Sequence, residues 1–434
     1  MGEEEKFDVI VVGGGPAGMT AAYVMAKAGL EVIVLERGEF CGSKNVFGGI
    51  FFTNVLKEIM PDFLKDAPVE RVVTKRRWSL MTPGGEISGG FKFNKYADGS
   101  NSGYTVLRAK FDKWFADKTE EAGAMIITGA VVDDFIMKDG KIAGVKARMD
   151  DGDIYGNMVI LADGVNSLLA KKLNMHKELQ PEDTIVSVKE VLSLPEEKIA
   201  DRFNLNGEEG VAYEYFGYSA KGAVGSGFVY TNKDTISVGI GGTIKSLTEH
   251  KLNPNDVLEA FKDHPAIAPL VRDAEQKEYS AHLIPDGGYN KISSLAGDNV
   301  LVAGDAAGFV NASLFHEGTN LAMESGRLAG ETAIAAKEKN DYSKESLSGY
   351  VKKMENSFVI KDLKQFRKLA KTLETNTKIF DKYPEIMEEF AAGMFTVDGE
   401  PKKAKQKRLI KNLLKKESIF GFIKTALAMR RVIL

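Results

Sequence analysis

The segment from residue 8 to residue 36 constrains the fold of this chain more than any other part of the sequence. It reads DVIVVGGGPAGMTAAYVMAKAGLEVIVLE, which is an apolar run, a glycine turn, a stretch with many small residues, and a second apolar run that ends in an acid. The turn has the spacing G-x-G-x-x-G through Gly13, Gly15 and Gly18, and Glu36 ends the second run. Such glycines bring backbone N–H groups and a helix N-terminus close to a pyrophosphate, and such an acid accepts hydrogen bonds from a ribose. The pattern therefore predicts a dinucleotide-binding βαβ unit.

Composition limits the class of protein. The chain has 434 residues, enough for two or three domains, and its 58 basic and 61 acidic residues nearly cancel. We therefore expect no nucleic-acid partner. The only cysteine is Cys41, which excludes a disulfide framework, a dithiol pair and a four-cysteine iron–sulfur cluster within this chain. We also expect no metal site.

No segment has the pattern of a membrane span or of a secretory signal. The first residues, MGEEEKFDV, are acidic and lead directly into the first strand, and no run of about eighteen apolar residues occurs. We therefore expect a cytoplasmic protein that can be peripheral to a membrane.

Three further segments carry candidate binding residues. Arg108 lies between a strand and an amphipathic helix, where the alternative is a solvated charge at the helix start. Two buried strands end at Asp163 and at Asp305, and the carboxyl ends of parallel strands are where open α/β folds bind ligands. Gly318 opens a helix whose positive N-terminus would face the same cleft. Gly48 and Gly49 suggest a loop near a ligand, although an ordinary glycine turn is nearly as probable.

A stretch of alternating strands from residue 184 to about residue 245 predicts an antiparallel sheet inserted into the nucleotide domain. A hairpin with a Pro-Gly-Gly turn is predicted earlier, at residues 78–93. The inserted sheet is rich in aromatic residues that either form a core or line an apolar ligand pocket, and we slightly favour the pocket: Tyr213, Tyr215, Phe216, Tyr218, Phe228 and Tyr230.

The expected fold class is α/β. A Rossmann-type FAD-binding domain would span residues 1–183, with the small hairpin insertion near 78–100, and would resume over residues 281–340. The antiparallel-sheet substrate domain would span residues 184–280. A C-terminal helical region with a basic amphipathic tail would follow over residues 341–434.

The tail combines positive charge with apolar residues. The apolar segment SIFGFIKTALAMRRVIL follows a basic run that consists of Lys402, Lys403, Lys405, Lys407, Arg408, Lys411, Lys415 and Lys416. Such a tail either lies on an anionic membrane surface or packs on its own domain or a partner subunit, and we favour the membrane surface.

Four motifs occur in a known order: the glycine turn with Glu36, the Arg108 junction, the ADG turn that contains Asp163, and the AGDAAG turn that contains Asp305. Together they resemble the FAD-dependent group that includes p-hydroxybenzoate hydroxylase, geranylgeranyl reductase and electron-transfer flavoprotein:quinone oxidoreductase. Within that group KNVFGG, GSGFVYTNKDT, HLIPDGGYNKI and VAGDAAGFVNASLFHEGTNLAMESG look most like the FixC branch.

The resemblance implies FAD as the cofactor and assigns roles to matching positions. The glycine turn would hold the pyrophosphate, Glu36 the adenosine ribose, Arg108 the nucleotide part, and the backbone at Val132 would lie near the adenine. Asp305 would bind the ribityl chain or the pyrophosphate region, and the helix start at residues 318–320 would face the pyrimidine side of the isoalloxazine. The full set of implied cofactor-binding residues is Gly13, Gly15, Ala17, Gly18, Glu36, Arg37, Arg108, Val132, Asp163, Gly304, Asp305, Gly318, Thr319 and Asn320.

The same resemblance implies an electron-transfer role at the inner face of the cell membrane. The chain would accept electrons from an electron-transfer flavoprotein, made of α and β subunits, and pass them to a membrane quinone of the menaquinone type. The cluster that longer relatives carry would reside on a separate small ferredoxin-like iron–sulfur subunit. Gly225, Ser226 and Phe228 would line the quinone site, although Ser226-Gly227 reverses the Gly-Ser order of the longer relatives.

His316 is the one candidate catalytic residue, for protonation at the quinone, with a packing or loop-polar role as the alternative. Other readings of the whole chain also remain. One is an FAD-dependent geranylgeranyl (isoprenoid) reductase or an aromatic hydroxylase, and another is a flavin-bearing adapter without enzymatic activity.

Overall fold

The computed structural model describes residues 6–44, 49–99 and 103–433. They form two compact units, which we describe separately. The first contains residues 6–70, 103–183 and 282–367, and the second contains residues 71–99, 184–281 and 368–433. Gly48, in the glycine loop predicted to approach a ligand, lies outside the described residues.

The strands and helices are numbered in chain order. The strands are β1 Lys6–Val12, β2 Val32–Glu36, β3 Ile50–Phe52, β4 Val69–Met81, β5 Glu86–Lys92, β6 Gly103–Val106, β7 Met125–Thr128, β8 Val132–Lys138, β9 Lys141–Ala147, β10 Asp153–Leu161, β11 Thr184–Ser193, β12 Glu209–Gly217, β13 Gly225–Thr231, β14 Thr235–Thr243, β15 Glu275–Pro285, β16 Ala296–Gly297 and β17 Val300–Val302. The helices are α1 Pro16–Lys27, α2 Asn54–Ile59, α3 Arg108–Glu121, α4 Leu168–Lys172, α5 Glu196–Phe203, α6 Ile244–Glu249, α7 Pro254–Asp263, α8 Ala268–Val271, α9 Thr319–Lys339, α10 Lys344–Asn356, α11 Phe358–Gln365, α12 Leu369–Thr375, α13 Lys382–Phe395, α14 Lys402–Lys416 and α15 Ile419–Ile433.

The first unit is built on a mainly parallel sheet in the order β16-β17-β10-β1-β2-β7. Strand β1 lies in its middle, parallel to β2 on one side and to β10 on the other. Residues 32–36 of β2 are all buried, as expected of a strand in a parallel sheet that is covered on both faces. The predicted βαβ unit is therefore confirmed: β1 leads through the glycine turn and α1 into β2, which ends at Glu36.

Small residues let helices α1 and α9 pack closely against each other. A Cβ at Gly326 of α9 would lie 2.1 Å from the carbonyl oxygen of Ala17 in α1. Ala17 and Ala21 are buried on the same side of α1. The close packing fixes the start of α1 against α9, which begins at Thr319.

The second unit contains a sheet in the order β15-β11-β14-β13-β12-β4, with β5 also paired to β4. Strands β11, β14, β13 and β12 pair antiparallel, as predicted. The sheet is not wholly antiparallel, however, because β12 runs parallel to β4 from Glu209 to Gly217. This pairing places the predicted hairpin, formed by β4 and β5, in the second unit and not in the first, where it was expected.

The aromatic residues of this sheet divide between its two faces, because successive side chains of a strand point to opposite sides. Tyr213 and Tyr215 belong to the apolar core that also contains Phe203 of α5 and Phe261 of α7. The pocket interpretation is therefore wrong for these two tyrosines. Phe228 and Tyr230 lie on the other face, where their rings stack with centroids 4.7 Å apart.

The C-terminal region is helical, as predicted, but it divides between the two units. Helices α10 and α11 belong to the first unit, where the Tyr350 hydroxyl of α10 donates a 3.1 Å hydrogen bond to the Val302 carbonyl of β17. Helices α12 to α15 belong to the second unit. Over the part of the chain that is described, no helix combines the length and the apolar character needed to cross a membrane.

Candidate functional site

The glycine turn leaves no room for side chains. A Cβ at Gly13 would lie 2.3 Å from the carbonyl oxygen of Ala162, and Gly13 has a φ of +106°. A Cβ at Gly18 would lie 2.0 Å from the carbonyl oxygen of Gly13. Gly15 is the N-cap residue of α1, and no side chain caps this helix end. The turn therefore presents bare backbone at a helix N-terminus, the arrangement that binds a pyrophosphate.

Glu36 holds the glycine turn to the end of β2. One carboxylate oxygen accepts a 2.7 Å hydrogen bond from the Gly14 N–H, and the other accepts a 2.7 Å hydrogen bond from the Gly38 N–H. A carboxylate offers about four lone-pair positions, so two remain for ribose hydroxyls. The buried Cys41 lies beside this turn, because its Sγ is 2.5 Å from where a Cβ at Gly14 would be. Burial, followed by the charge of Glu36, raises the pKa of the Cys41 thiol to about 12, so it stays neutral.

Arg108 is buried at the start of α3, so the alternative of a solvated helix-start charge is wrong. Its Nε and Nη2 atoms donate hydrogen bonds of 2.8 and 2.7 Å to the two carboxylate oxygens of Asp112, one turn later. Burial alone would lower the pKa of Arg108, but the Asp112 carboxylate more than offsets burial and the pKa is raised. Asp112 was not identified from the sequence, although charges of opposite sign at i and i+4 on a helix are a recognisable signal.

Asp163 and Asp305 follow the neighbouring parallel strands β10 and β17, at the same edge of the sheet as the glycine turn. Desolvation raises the pKa of Asp305 to about 6, against the lowering effect of Arg108. Desolvation likewise raises the pKa of Asp163 to about 6, although the Ser167 hydroxyl donates a 3.1 Å hydrogen bond to its carboxylate. Carboxyl groups at this edge are placed to bind hydroxyl groups of a ligand.

His282 adds a neutral group to the same electrostatic environment. Burial and the positive charges of Arg108 and Arg37 lower its pKa to about 4. Arg37 itself is exposed, directly after β2. His282 lies within β15, and a single histidine in a strand carries no sequence pattern that would predict this role. Arg108 acts on His282 and Asp305, and Arg37 acts on His282 and Asp163, so their positive charges make this region suitable for a negatively charged ligand.

Backbone next to Val132 lies against the end of β2. The Ala130 N–H donates a 2.9 Å hydrogen bond to the Glu36 carbonyl, and the Gly129 N–H donates a 2.8 Å hydrogen bond to the Gly38 carbonyl. Val132 then begins β8. Val132, which is proposed to lie near the adenine, is therefore two residues from Ala130, which is hydrogen-bonded to Glu36, the residue proposed to bind the ribose.

The start of α9 contains a buried polar atom that has no hydrogen-bond partner. Gly318 is the N-cap residue without a side-chain cap, and Thr319 and Asn320 open the helix, as predicted. Asn320 is only 2% exposed, and its Nδ2 donates a 2.8 Å hydrogen bond to Glu317. Its Oδ1 accepts no hydrogen bond. A buried unpaired acceptor costs about 1–3 kcal/mol, so this atom points to a ligand with an N–H or O–H group.

These observations fit FAD. The turn has no space for side chains at Gly13 and Gly18. Gly304, after β17, has a φ of +65°, and a Cβ there would lie 2.8 Å from the Cβ of Ala17. Asn320 offers an acceptor to a flavin N–H. The residues with these properties all belong to the first unit.

The loop before α9 has its own internal order. Asn311 and Glu317 form an isolated antiparallel bridge, with N–H to carbonyl hydrogen bonds of 2.9 and 3.1 Å. His316 lies inside it with a φ of +48°, in the left-handed region that non-glycine residues rarely adopt. Phe315 next to it is 49% exposed. The constrained backbone agrees with a functional loop.

The candidate quinone residues lie on β13 of the second unit. Ser226 and Phe228 point to the face opposite the α5–α7 core, whereas a Cβ at Gly227 would lie 2.8 Å from the Phe261 ring of that core. Phe228 lies across Gly239 of β14, where a Cβ would be 2.4 Å from its ring. Gly225 pairs with Gly242 at the start of β13. Ser226 and Phe228 thus share a face, and Gly227 belongs to the other face.

Residues 369–434 match the family model of the ETF-QO/FixC family C-terminal domain, and residues 8–171 match the model for FAD dependent oxidoreductases. Protein FixC of Azorhizobium caulinodans is 40% identical over 431 residues, which cover 99% of each chain. A probable electron transfer flavoprotein-quinone oxidoreductase, YdiS of Escherichia coli, is 41% identical over 408 residues, which cover 94% of each chain.

Solved structures share the fold. A geranylgeranyl bacteriochlorophyll reductase-like protein from Thermoplasma acidophilum superposes with a TM-score of 0.72 and 24% identity, over 95% of this chain and 100% of the other. The flavin-dependent brominase Bmp2 superposes with a TM-score of 0.64 and 17% identity, over 95% and 100%. At these identities the likeness concerns the fold alone. The nearly full-length similarity to FixC proteins decides the family: the chain belongs to the ETF-QO/FixC family of FAD-dependent oxidoreductases.

Proposed function

We propose that this protein accepts electrons from an electron-transfer flavoprotein on its FAD and passes them to a membrane quinone. The observation that carries the proposal is the family membership over nearly the whole chain, which includes the C-terminal domain at residues 369–434. FAD, when bound, takes up and releases electrons, and the protein supplies its binding, orientation and electrostatic environment. Such a reaction needs no acid–base triad in the chain.

The residues of the first unit would hold the cofactor. In our proposal Gly13, Gly15 and Gly18 bind the pyrophosphate, and Glu36 binds the adenosine ribose. The remaining contacts would come from Ala17, Arg37, Arg108, Val132, Asp163, Gly304, Asp305, Gly318, Thr319 and Asn320. The bare turn, the Glu36 hydrogen bonds and the unpaired Asn320 oxygen support this assignment.

The acceptor would bind at the face of the second unit's sheet that carries Ser226 and Phe228. Gly239 leaves space for the tip of the Phe228 ring, which lies 2.4 Å from where a Cβ at Gly239 would be, and the Tyr230 ring stacks on Phe228. Stacked aromatic rings with the Ser226 hydroxyl on the same face suit a quinone ring. Gly225 pairs with Gly242 at the start of this strand.

The C-terminal helices would bring the protein to the membrane. Helix α15 exposes Phe420 by 76% and a further set of apolar side chains by more than half: Ile419, Ile423 and Leu427. On α14, Lys407, Lys411 and Lys415 surround Ile410 and Leu414 in a depression of about 450 Å³. Amphipathic helices of this kind lie at the surface of anionic lipid.

Not every lysine of the basic run is available for that purpose. Lys405 is buried and donates hydrogen bonds to Asp398 and the Thr396 carbonyl, while Arg408 pairs with Glu400 at 2.6 Å. Lys416 pairs with Glu389. In this proposal the tail attracts anionic lipid with fewer charges than the sequence suggests, and the exposed apolar residues of α15 add to the attraction.

The resemblance to the FixC branch implies that the complex would also contain a separate ferredoxin-like subunit, which would carry the cluster that the single Cys41 of this chain cannot hold. We place the chain at the inner face of the cell membrane, together with the α and β subunits of the electron-transfer flavoprotein. Purification from the native host is expected to recover a small iron–sulfur protein with this chain. Repeated purification under mild conditions without one would remove that part of the proposal.

The direct test is a half-reaction without oxygen. The purified protein is reduced chemically, a menaquinone analogue in detergent micelles is added, and flavin absorbance is followed. We expect reoxidation with stoichiometric quinone reduction. If the reduced protein does not react with the quinone but saturates a double bond of a polyprenyl lipid, the isoprenoid-reductase alternative replaces the proposal.

A further inference from the structure

Glu317 joins two asparagine side chains at the start of α9. Its Oε2 accepts a 3.1 Å hydrogen bond from Asn311 Nδ2, and its Oε1 accepts a 2.8 Å hydrogen bond from Asn320 Nδ2. Backbone hydrogen bonds between Asn311 and Glu317 close the same loop in both directions. Both asparagines are only 2% exposed. The carboxylate is therefore fixed between two buried amides.

The chemistry of this arrangement decides how each amide is turned. A carboxylate only accepts hydrogen bonds, so each asparagine must direct its NH₂ group to Glu317 and its carbonyl oxygen away. Asn311 Oδ1 then accepts a 3.2 Å hydrogen bond from the Ser313 N–H. Asn320 Oδ1 is left buried without a partner. A neutral side chain in place of Glu317 could offer both a donor and an acceptor, and the Asn320 amide could then turn around.

We propose that Glu317 is a positioning residue that holds the Asn320 carbonyl oxygen ready to accept a hydrogen bond from the N3–H group of the flavin. This inference rests on the proposed placement of the isoalloxazine at the start of α9, and it does not depend on the electron donor or acceptor. The flavin pyrimidine edge alternates carbonyl oxygens with this single N–H. The reversed amide would direct its NH₂ group at N3–H, donor against donor.

The test compares FAD with N3-methyl-FAD, which lacks that hydrogen, by fluorescence titration of the apoprotein. We expect the wild type to bind FAD more tightly than N3-methyl-FAD. In Glu317→Gln, we expect FAD affinity to fall about fivefold to tenfold, the value of one hydrogen bond, and the preference for N3–H to shrink by a similar factor. A general loss of loop structure would weaken both cofactors equally and leave their ratio unchanged, and that result would overturn the proposal.

A double-mutant cycle separates this inference from the placement of the cofactor. If Glu317 acts through Asn320, then adding Glu317→Gln to Asn320→Leu will cause no further loss of affinity. Additive losses would show that Glu317 acts by another route. If Asn320→Leu alone retains the wild-type ratio of the two affinities, the placement at α9 is wrong, whatever the activity of the holoprotein. Because Asn320→Leu leaves Glu317 intact, it tests the acceptor role even if Glu317→Gln does not fold.

Discussion

The glycine turn of the first unit has no room for side chains, whereas helix α15 of the second unit exposes large apolar side chains. At Gly13 and Gly18 there is no room for one methyl group, because carbonyl oxygens lie 2.3 and 2.0 Å from where it would be. On α15, Phe420 is 76% exposed although it is among the most apolar residues in the chain. The first region binds through its backbone and depends on the absence of side chains. The second depends on side chains that the described part of the protein does not cover.

Gly18→Ala is expected to distort the glycine turn and to have the largest effect on FAD affinity and stability. The new methyl group would overlap the Gly13 carbonyl, so the turn must move, and the proposed pyrophosphate site would move with it. We expect FAD affinity to fall more than 100-fold and stability by about 1–3 kcal/mol, measured by cofactor titration and urea unfolding.

Gly349→Ala in α10 is the matched control, since a Cβ there has no atom within 4 Å. It should retain FAD and gain about 0.5–1 kcal/mol from helix propensity. Equal FAD affinity in the two variants would remove the glycine turn from the binding site.

The double variant Phe420→Ser and Ile423→Ser tests the exposed region. Each side chain is expected to contribute about 1.5 kcal/mol or more when it inserts into lipid, so binding to vesicles of phosphatidylglycerol and phosphatidylethanolamine should weaken about 100-fold in sedimentation assays. FAD content should not change.

Leu64→Ser provides the comparison, because Leu64 is 46% exposed in the first unit, away from the tail sequence. It should bind vesicles as the wild type does. Vesicle binding that survives the α15 substitutions, or that is lost equally in Leu64→Ser, would contradict a membrane role for α15.

Asp305→Asn tests whether Asp305 is desolvated at the sheet edge, through the pH dependence of the free energy of unfolding. The folded-state pKa of Asp305, about 6, is raised above the unfolded value, so this group stabilises the fold below about pH 4 and the stability is lost as pH rises to about 6. The asparagine variant lacks that dependence. Relative to the wild type, its apoprotein should gain on the order of 2 kcal/mol between pH 4 and pH 7, measured by urea unfolding.

The free energy of unfolding of the wild type must be subtracted from that of Asp305→Asn at each pH, because other groups titrate in the same range. Asp163 also has a raised pKa, so its contribution to stability falls as pH rises, as that of Asp305 does. His282 has a lowered pKa of about 4, so it stabilises the fold increasingly as pH rises towards 6.5. A difference that does not change with pH would show that Asp305 is not desolvated in the folded apoprotein.

Phe228→Leu should have the smallest effect. If Phe228 contacts the quinone ring, loss of the aromatic interaction, worth about 0.5–1.5 kcal/mol, should raise the KM for the quinone analogue about twofold to tenfold without changing FAD content. Val229→Ala, one residue later on the opposite face, should lower stability and leave KM unchanged. The reverse pattern would exclude this face as the acceptor site.

The difference between the two regions also explains what could be predicted from sequence. The turn, β1, α1, β2 and Glu36 were predictable because a backbone site demands glycine at fixed spacing and an acid at a strand end. The pairing of β4 with β12 was not, because it joins segments more than a hundred residues apart and no local pattern marks a parallel partner.

Ion pairs were a second feature that could not be predicted from the sequence. The basic run was visible in the sequence, but the salt bridges of Lys405, Arg408 and Lys416 depend on how α13, α14 and the segment between them fold. The alternation of the inserted sheet correctly implied two faces, yet only the helices packed on one of them decided that Tyr213 and Tyr215 belong to the core. At α9 the helix start was predictable, whereas the role of Glu317 required the hydrogen bonds of Asn311 and Asn320.

The proposed reaction is electron transfer through this protein from an electron-transfer flavoprotein to a quinone. Its most direct measurement mixes a reduced electron-transfer flavoprotein with a menaquinone analogue in anionic vesicles without oxygen, adds catalytic amounts of this protein and any ferredoxin-like subunit that copurifies, and follows quinone reduction. We predict turnover with the wild type and none with Gly18→Ala. If the FAD is reduced by the donor but no quinone is consumed, the acceptor assignment is wrong, and if the donor cannot reduce the FAD at all, the electron-transfer proposal fails.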